Sequence, residues 1–178
     1  MKKIIFFLLI WFALSKCSAQ TRLIPGEIKG KHDTFIIQKY PKPFDTINNI
    51  VISSKKNKYN NGIPYTAAEK SGKFVPMHLK TDIQVDNGAI KQIVFAVLGE
   101  KLNSLKNNKE VMSYILYFKH DGQISDISFG LHKNTLITLQ EIEEIDRRLR
   151  TTIKATFTGK AYLQYEVVNY NIAPQITF

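Results

Sequence analysis

Apolar and polar positions along the chain recur with two different periods, which separate predicted helices from predicted strands. From Ile90 to Leu105 the apolar side chains return every three or four residues, and this spacing predicts an amphipathic helix. Two features favour a strand instead: Asn87-Gly88 is a good hairpin turn, and the run Ile93–Val97 would suit a buried strand. The longer 3–4 spacing decides for the helix.

A second helix is predicted after Thr138. Thr138 and Glu141 have the spacing of a capping box, in which each side chain hydrogen-bonds the other residue's backbone amide. The apolar stripe that follows consists of Leu139, Ile142, Ile145 and Leu149. The pairs Glu143–Arg147 and Glu144–Arg148 stand four residues apart in the favourable order, so both are predicted as surface ion pairs.

Strands are predicted on either side of these helices. Two short β-rich runs, Thr34–Ile37 and Ile47–Ile52, predict two strands around a turn, and Asp121-Gly122 predicts a hairpin between Val111–Lys119 and Gln123–Leu131. Two further strands are predicted after the second helix, around Ile153–Phe157 and Ala161–Tyr170.

The pattern as a whole predicts an α+β fold in which two helices pack on an antiparallel sheet, with the order α-β-β-α-β-β from residue 81 onward. Residues 20–178 are predicted to form a single domain. It comprises short strands over 20–54, a basic loop over 55–73 and the main core over 74–178.

Residues 1–19 have the pattern of a secretory signal peptide. A basic start precedes the unbroken apolar run Ile4–Leu14, and Cys17-Ser18-Ala19 supplies small side chains before a cleavage point at Gln20. Eleven helical residues span only about 16 Å of a hydrocarbon core about 30 Å thick, so no transmembrane segment is expected. The alternative is a lipoprotein signal that anchors the chain through Cys17, because Leu14–Cys17 resembles a lipobox. Both interpretations predict an exported protein, periplasmic or secreted.

Composition changes once this signal is set aside. The chain of 178 residues has a net charge of +10, but residues 1–19 hold its only Trp, its only Cys and three of its 25 basic side chains. The remaining 159 residues carry 22 basic and 15 acidic side chains, a net charge of +7. A mature chain without cysteine cannot form disulfides, a thiol nucleophile or a cysteine-ligated metal centre. No cofactor or metal is expected.

Residues that could carry catalysis are dispersed. The four histidines are His32, His78, His120 and His132, and none has metal-ligand spacing. They are interpreted as exposed loop side chains, with His120 and His132 at opposite ends of the hairpin. The acidic cluster of the second helix is Glu141, Glu143, Glu144 and Asp146, interpreted mainly as caps and ion-pair partners on a solvated face. No nucleophile elbow, phosphate loop or dinucleotide fingerprint occurs.

The candidate binding residues lie in the basic loop: Lys55, Lys56, Lys58, Tyr59 and Tyr65. Lysines attract anionic groups, and the interleaved tyrosines could stack on a sugar ring. An ordinary solvated basic loop is the alternative. Nucleic acid is not expected as a partner of an exported protein.

The stretch Val111–Phe157 is similar to the periplasmic carboxy-terminal domain of TonB-type proteins, in the hairpin at Asp121-Gly122 and the helix entered after a short polar loop. This resemblance implies a strand–strand–helix–strand unit. The whole chain resembles small exported proteins of unknown function from Gram-negative envelopes, a likeness that carries no catalytic residues.

These patterns predict an exported non-catalytic protein that binds an envelope protein or an anionic glycan, with strand addition at a sheet edge as one route. One alternative is a small periplasmic hydrolase whose site is assembled from dispersed residues, such as His120 with a carboxylate. The other is a structural subunit of a surface assembly. The oligomeric state is left open.

Overall fold

The computed structural model describes residues 23–40, 49–58, 82–164, 167–170 and 175–178. The predicted signal over 1–19, most of the turn predicted between Thr34–Ile37 and Ile47–Ile52, and most of the basic loop lie outside these ranges. No helix among the described residues combines the length and apolar character needed to cross a bilayer.

The fold is α+β, as predicted, with helical segments and an antiparallel sheet. The helices of the described residues are α1 (Asn87–Leu98), α2 (Leu102–Asn107) and α3 (Leu139–Thr152), and a short 3₁₀ turn over Gly99–Lys101 joins the first two. Their strands are β1 (Gly26–Lys29), β2 (Thr34–Lys39), β3 (Asn49–Ser54), β4 (Ile83–Gln84), β5 (Val111–Phe118), β6 (Ile124–His132), β7 (Thr156–Phe157), β8 (Val168–Tyr170) and β9 (Gln175–Thr177).

The main sheet has seven antiparallel strands in the order β1-β2-β3-β6-β5-β8, and β9 pairs with the other half of β5. The hairpin β5–β6 and the pairing of β2 with β3 confirm the strands predicted there. The small strands β4 and β7 form a separate two-stranded sheet.

The first predicted helix is confirmed, and its N-terminus explains the ambiguous turn signal. Asp86 is the N-cap and its side chain accepts a hydrogen bond from the Ala89 amide at 2.9 Å, so Asn87-Gly88 lies in the first helical turn rather than in a hairpin. The capping box of α3 is also confirmed, with both reciprocal hydrogen bonds present.

The predicted strand over Ala161–Tyr170 is wrong in its first half. Ala161–Gln164 is a 3₁₀ helix, and of the residues described in this span Val168–Tyr170 alone join the sheet. The strand predicted around Ile153–Phe157 is reduced to β7, because it pairs with the two-residue β4 and not with a long strand.

One face of the main sheet carries the core. Alternate residues of each strand, such as Ile52 in β3 and Phe129 in β6, are buried in a single cluster with the apolar faces of the helices. The opposite face is more polar, although several of its residues are also buried. Ser53 is fully buried there, and among the described residues its hydroxyl has no hydrogen-bond partner.

Candidate functional site

A cleft of about 540 Å³ lies where the β1–β2 turn, the end of β3 and one side of α3 meet. We call it the charged cleft, because charged side chains from all three elements line it. The turn contributes Lys31, His32 and Asp33, the segment after β3 contributes Lys56, and α3 contributes Glu143, Glu144, Asp146, Arg147 and Arg150.

Glu143 fastens the β1–β2 turn to α3. Its carboxylate accepts hydrogen bonds from the backbone amides of Lys31, His32 and Asp33 at 2.7–2.8 Å. Burial raises the pKa of Glu143, but these three hydrogen bonds together outweigh it and hold the pKa below its ordinary value. Gly30 permits this approach, because a Cβ there would stand 2.8 Å from Glu143 Oε1.

This contact corrects the predicted Glu143–Arg147 ion pair. Glu143 is only 7% exposed and faces the turn, whereas Arg147 and Arg148 both bind the neighbouring Glu144. The predicted Glu144–Arg148 pair is confirmed, at 2.6 Å. Hydrogen bonds from Arg147 and then Arg148 lower the pKa of Glu144 to about 2.

Asp33 links the turn to the end of β3. Its carboxylate accepts hydrogen bonds from the Ser54 hydroxyl and the Thr34 amide, and the Lys56 ammonium lies 3.3 Å away. Burial raises the pKa of Asp33. The hydrogen bonds from Ser54 and Thr34, together with the nearby Lys56, lower this pKa by more than burial raises it, so the net shift is downward. Asp33 is therefore held as a carboxylate.

Asp146 and Arg150 form the deepest charged pair of the cleft. Arg150 Nε donates to Asp146 at 2.8 Å, and the same guanidinium donates to the Ser125 carbonyl and the Asn57 side chain. Burial raises the pKa of Asp146, and Arg150 only partly offsets this. The interpretation of Glu143 and Asp146 as residues of a solvated face is thus wrong, since both are 7% exposed.

The carboxylates of the cleft are therefore occupied by the protein itself, while part of the positive charge stays accessible. Lys56 is 74% exposed despite its contact with Asp33, and Arg147 is 55% exposed although its guanidinium binds Glu144. Within the described part of the chain, no carboxylate forms an ion pair with Lys31. Chemically, such a rim can hold an anionic group between flexible cations.

The candidate binding residues are only partly brought together at this cleft. Lys56 lines it, whereas Lys55 forms an exposed ion pair with Glu27 of β1 at 2.8 Å. Lys58 is exposed at the end of the same segment. Tyr59 and Tyr65 lie outside the described residues. Sequence reasoning missed Lys31 and Arg147 as lining residues, because nothing local relates the β1–β2 turn to α3.

Three of the four histidines are described. His32 lies in the β1–β2 turn at the charged cleft, whereas His120 and His132 lie at opposite ends of the β5–β6 hairpin, as predicted. His120 contacts the Tyr162 ring edge to face, with 5.7 Å between ring centroids. His78 is not among the described residues. In the described ranges no three His, Cys, Asp or Glu side chains are grouped to hold a metal ion.

Comparison with known proteins supports the fold alone. No protein-family model matches the chain, and no curated protein matches it. The chain is similar to a crystal structure of a DUF5043 family protein from Bacteroides uniformis, with a TM-score of 0.55 and 12% identity over 90% of this chain and 87% of that one. This neighbour belongs to a family of unknown function, which agrees with the predicted resemblance to uncharacterised proteins. The TonB-type resemblance of Val111–Phe157 stays a prediction.

Proposed function

We propose that this is an exported, non-catalytic protein that binds an anionic group of an envelope glycan in the charged cleft. The observation that carries the proposal is that the negative groups of the cleft are already bonded within the protein, whereas several of its positive groups are accessible to a ligand. Buried carboxylates are satisfied by internal hydrogen bonds, while Lys31, Lys56 and Arg147 present accessible cations from three separate elements.

The geometry favours an extended, polar ligand over a deeply buried one. Each accessible cation lies at the rim, so a carboxylate or sulfate could be held while the rest of the glycan stays in solvent. Attraction between exposed charges is screened by salt, so binding should weaken as ionic strength rises. The surplus of basic residues in the chain after the predicted signal would strengthen the same attraction.

A protein partner added as a strand at the sheet edge is less well supported. Among the described residues the edge strand β1 pairs only with β2, but it is four residues long and carries Glu27 and Lys29. Short, charged edge strands are how natural proteins discourage added strands. We therefore favour the glycan and treat a protein partner as an outcome of the test.

In this proposal Lys55 and Lys58 extend the basic surface from Lys56 of the cleft. Tyr59 and Tyr65, which lie outside the described residues, stay sequence-based candidates for contact with neighbouring sugar units. Export through the signal at residues 1–19 would bring the protein to the envelope, where acidic glycans occur. Lipid attachment through Cys17 would place the same cleft at a membrane surface.

The test is isothermal titration of the protein with polygalacturonate and heparin oligosaccharides, with neutral dextran as the comparison ligand. We expect binding of at least one polyanion, and we expect Lys31→Ala with Lys56→Ala to weaken it about tenfold. The control is Lys106→Ala with Lys119→Ala, which removes the same charge from exposed positions outside the cleft.

An equal loss of polyanion affinity in both double variants would show that the binding is non-specific attraction by net charge, and this would contradict the proposal. Absence of polyanion binding would overturn the proposal, and so would specific retention of an envelope protein whose affinity is unchanged by Lys31→Ala with Lys56→Ala.

A further inference from the structure

A second cleft, of about 520 Å³, lies at the other end of the main sheet. We call it the amide cleft. The ends of β2 and β6, the starts of β3 and β5, and β9 surround it. Strand β6 reaches from Ser125 at the charged cleft to His132 at the amide cleft, a distance of about 24 Å at the rise of an antiparallel strand. The two clefts are therefore separate sites.

Carboxamide side chains from different parts of the chain line the amide cleft. They are Asn49, Asn108, Asn134 and Gln175. A carboxamide presents both N–H donors and a carbonyl acceptor, and a hydroxyl group likewise donates and accepts. Several carboxamides around one space therefore match a ligand with many hydroxyl groups.

The buried charge of the amide cleft, on Glu110, is already hydrogen-bonded within the protein. Glu110 is only 9% exposed, and its carboxylate accepts hydrogen bonds from the Thr135 hydroxyl and, at 3.2 Å, from the Leu136 amide. Lys109 is exposed to solvent. A neutral ligand is thus favoured over a charged one, because a buried charge without a partner is costly.

Gly130 lies on the floor of the cleft in the interior of β6, between Ser113 of β5 and Val51 of β3. The Ser113 hydroxyl occupies the space beside it, since a Cβ at this position would stand 2.3 Å from Ser113 Oγ. Tyr40, which also lines the cleft, supplies an aromatic ring of the kind that packs against an apolar ligand face.

We infer that the amide cleft binds a neutral hexose unit of a glycan. The sugar hydroxyls bond to the carboxamides of Asn108 and Gln175, and an apolar face of the ring packs against Tyr40. This inference is independent of the charged cleft, since it uses different residues, a different ligand chemistry and the opposite end of the sheet.

The experiment is a titration of ¹⁵N-labelled protein with the methyl glycosides of glucose, galactose, mannose and N-acetylglucosamine, followed by amide chemical shifts. With at least one sugar, the Gly130 backbone amide and the Gln175 side-chain amide should shift saturably. Gln175→Ala should weaken this binding about five- to tenfold through the lost hydrogen bonds. Gln92→Ala, at an exposed glutamine of α1 outside the cleft, should leave it unchanged.

The aromatic contact gives a second test. Tyr40→Ala removes the ring against which the sugar packs and should reduce sugar binding at least tenfold. Tyr40→Phe, which keeps the ring, should retain most of the binding. Should Tyr40→Ala fail to fold, Gln175→Ala still decides the matter.

Saturable shifts that persist undiminished in both Gln175→Ala and folded Tyr40→Ala would overturn the inference, as would the absence of shifts with all four sugars. The proposal for the charged cleft is tested separately from this inference, because Lys31→Ala with Lys56→Ala should leave sugar binding in the amide cleft unchanged.

Discussion

At the residue scale, two adjacent serines in β3 show how burial changes the value of one hydroxyl. Ser53 is fully buried on the polar face of the sheet and its Oγ has no hydrogen-bond partner in the described part of the chain. Ser54 points to the other face, where its hydroxyl donates to Asp33 and accepts from the Lys56 amide. The same atom is therefore a cost at one position and a benefit at the next.

We predict opposite effects for the same substitution at these two positions. Ser53→Ala should raise the free energy of unfolding by about 1 kcal/mol, because it removes a buried hydroxyl without a partner. Ser54→Ala should lower it by about 1–2 kcal/mol, because Asp33 and the Lys56 amide lose a partner. Urea denaturation of both variants measures the difference, and a loss of stability in Ser53→Ala would contradict the first expectation.

Lys109 has a backbone conformation that a residue with a side chain rarely adopts. It has φ +53° just after α2, where the Lys109 amide bonds the Lys106 carbonyl and the Glu110 amide bonds the Leu105 carbonyl. This is a Schellman motif, in which glycine is the favoured residue at the left-handed position. The positive φ is thus explained by the end of the helix and needs no ligand.

Lys109→Gly is therefore expected to raise the free energy of unfolding by about 1 kcal/mol, since glycine adopts the left-handed conformation without a steric penalty. Asn108→Gly is the matched control, because Asn108 has ordinary helical dihedrals with φ −80° and gains nothing from glycine. Thermal denaturation of both variants tests this. Equal shifts in melting temperature would show that the Lys109 backbone is not strained.

At the element scale, the contact between α3 and the β1–β2 turn rests on Glu143. Its carboxylate is the acceptor for three backbone amides, and no lysine or arginine makes an ion pair with it in the described residues. We predict that Glu143→Gln lowers the free energy of unfolding by about 1–2 kcal/mol, because an amide nitrogen must then face one of the three N–H groups. Glu144→Gln, one residue further on, is the control, and its smaller effect should fade at high salt.

Glu143 also gives this contact a pH dependence. Its pKa in the folded protein lies below the ordinary value of 4.5, so its contribution to stability is present above that value and is lost as the pH falls through the lower folded-state pKa. The difference in free energy of unfolding between the wild type and Glu143→Gln should therefore be largest near neutral pH and shrink toward acid pH. If the difference in free energy of unfolding stays constant across the acid range, the effect of Glu143→Gln does not depend on the charge of the carboxylate.

Elements with strong local signals were predictable from the sequence, and those set by distant partners were not. The capping box and apolar stripe of α3 are local, so the helix was predicted correctly. Strand β1 contains only one apolar residue of the β-forming kind, Ile28, and it depends on pairing with β2. The role of Glu143 depends on amides 110–112 residues away, which a single sequence does not reveal.

At the scale of the whole molecule, the sheet order sets a gradient of protection from its centre to its edge. Strands β3, β6 and β5 are central, and each pairs with strands on both sides. Strand β1 pairs with β2 alone among the described residues, and β4 and β7 pair only with each other over two residues. Since local openings occur most readily where fewest contacts must break, stability should fall in this order.

Amide hydrogen exchange of the protein should follow that gradient. The amides of β6 and β5 should exchange slowest, near the limit set by global unfolding, whereas the amides of β1, β4 and β7 should exchange fastest among the strands. Adding a polyanion bound in the charged cleft should slow exchange in the β1–β2 turn, because Lys31 would take part in holding it. If the amides of β1 instead exchange as slowly as those of β6 without any ligand, the edge of the sheet at β1 is covered. That result would favour a protein partner or a second copy of the chain bound at this strand.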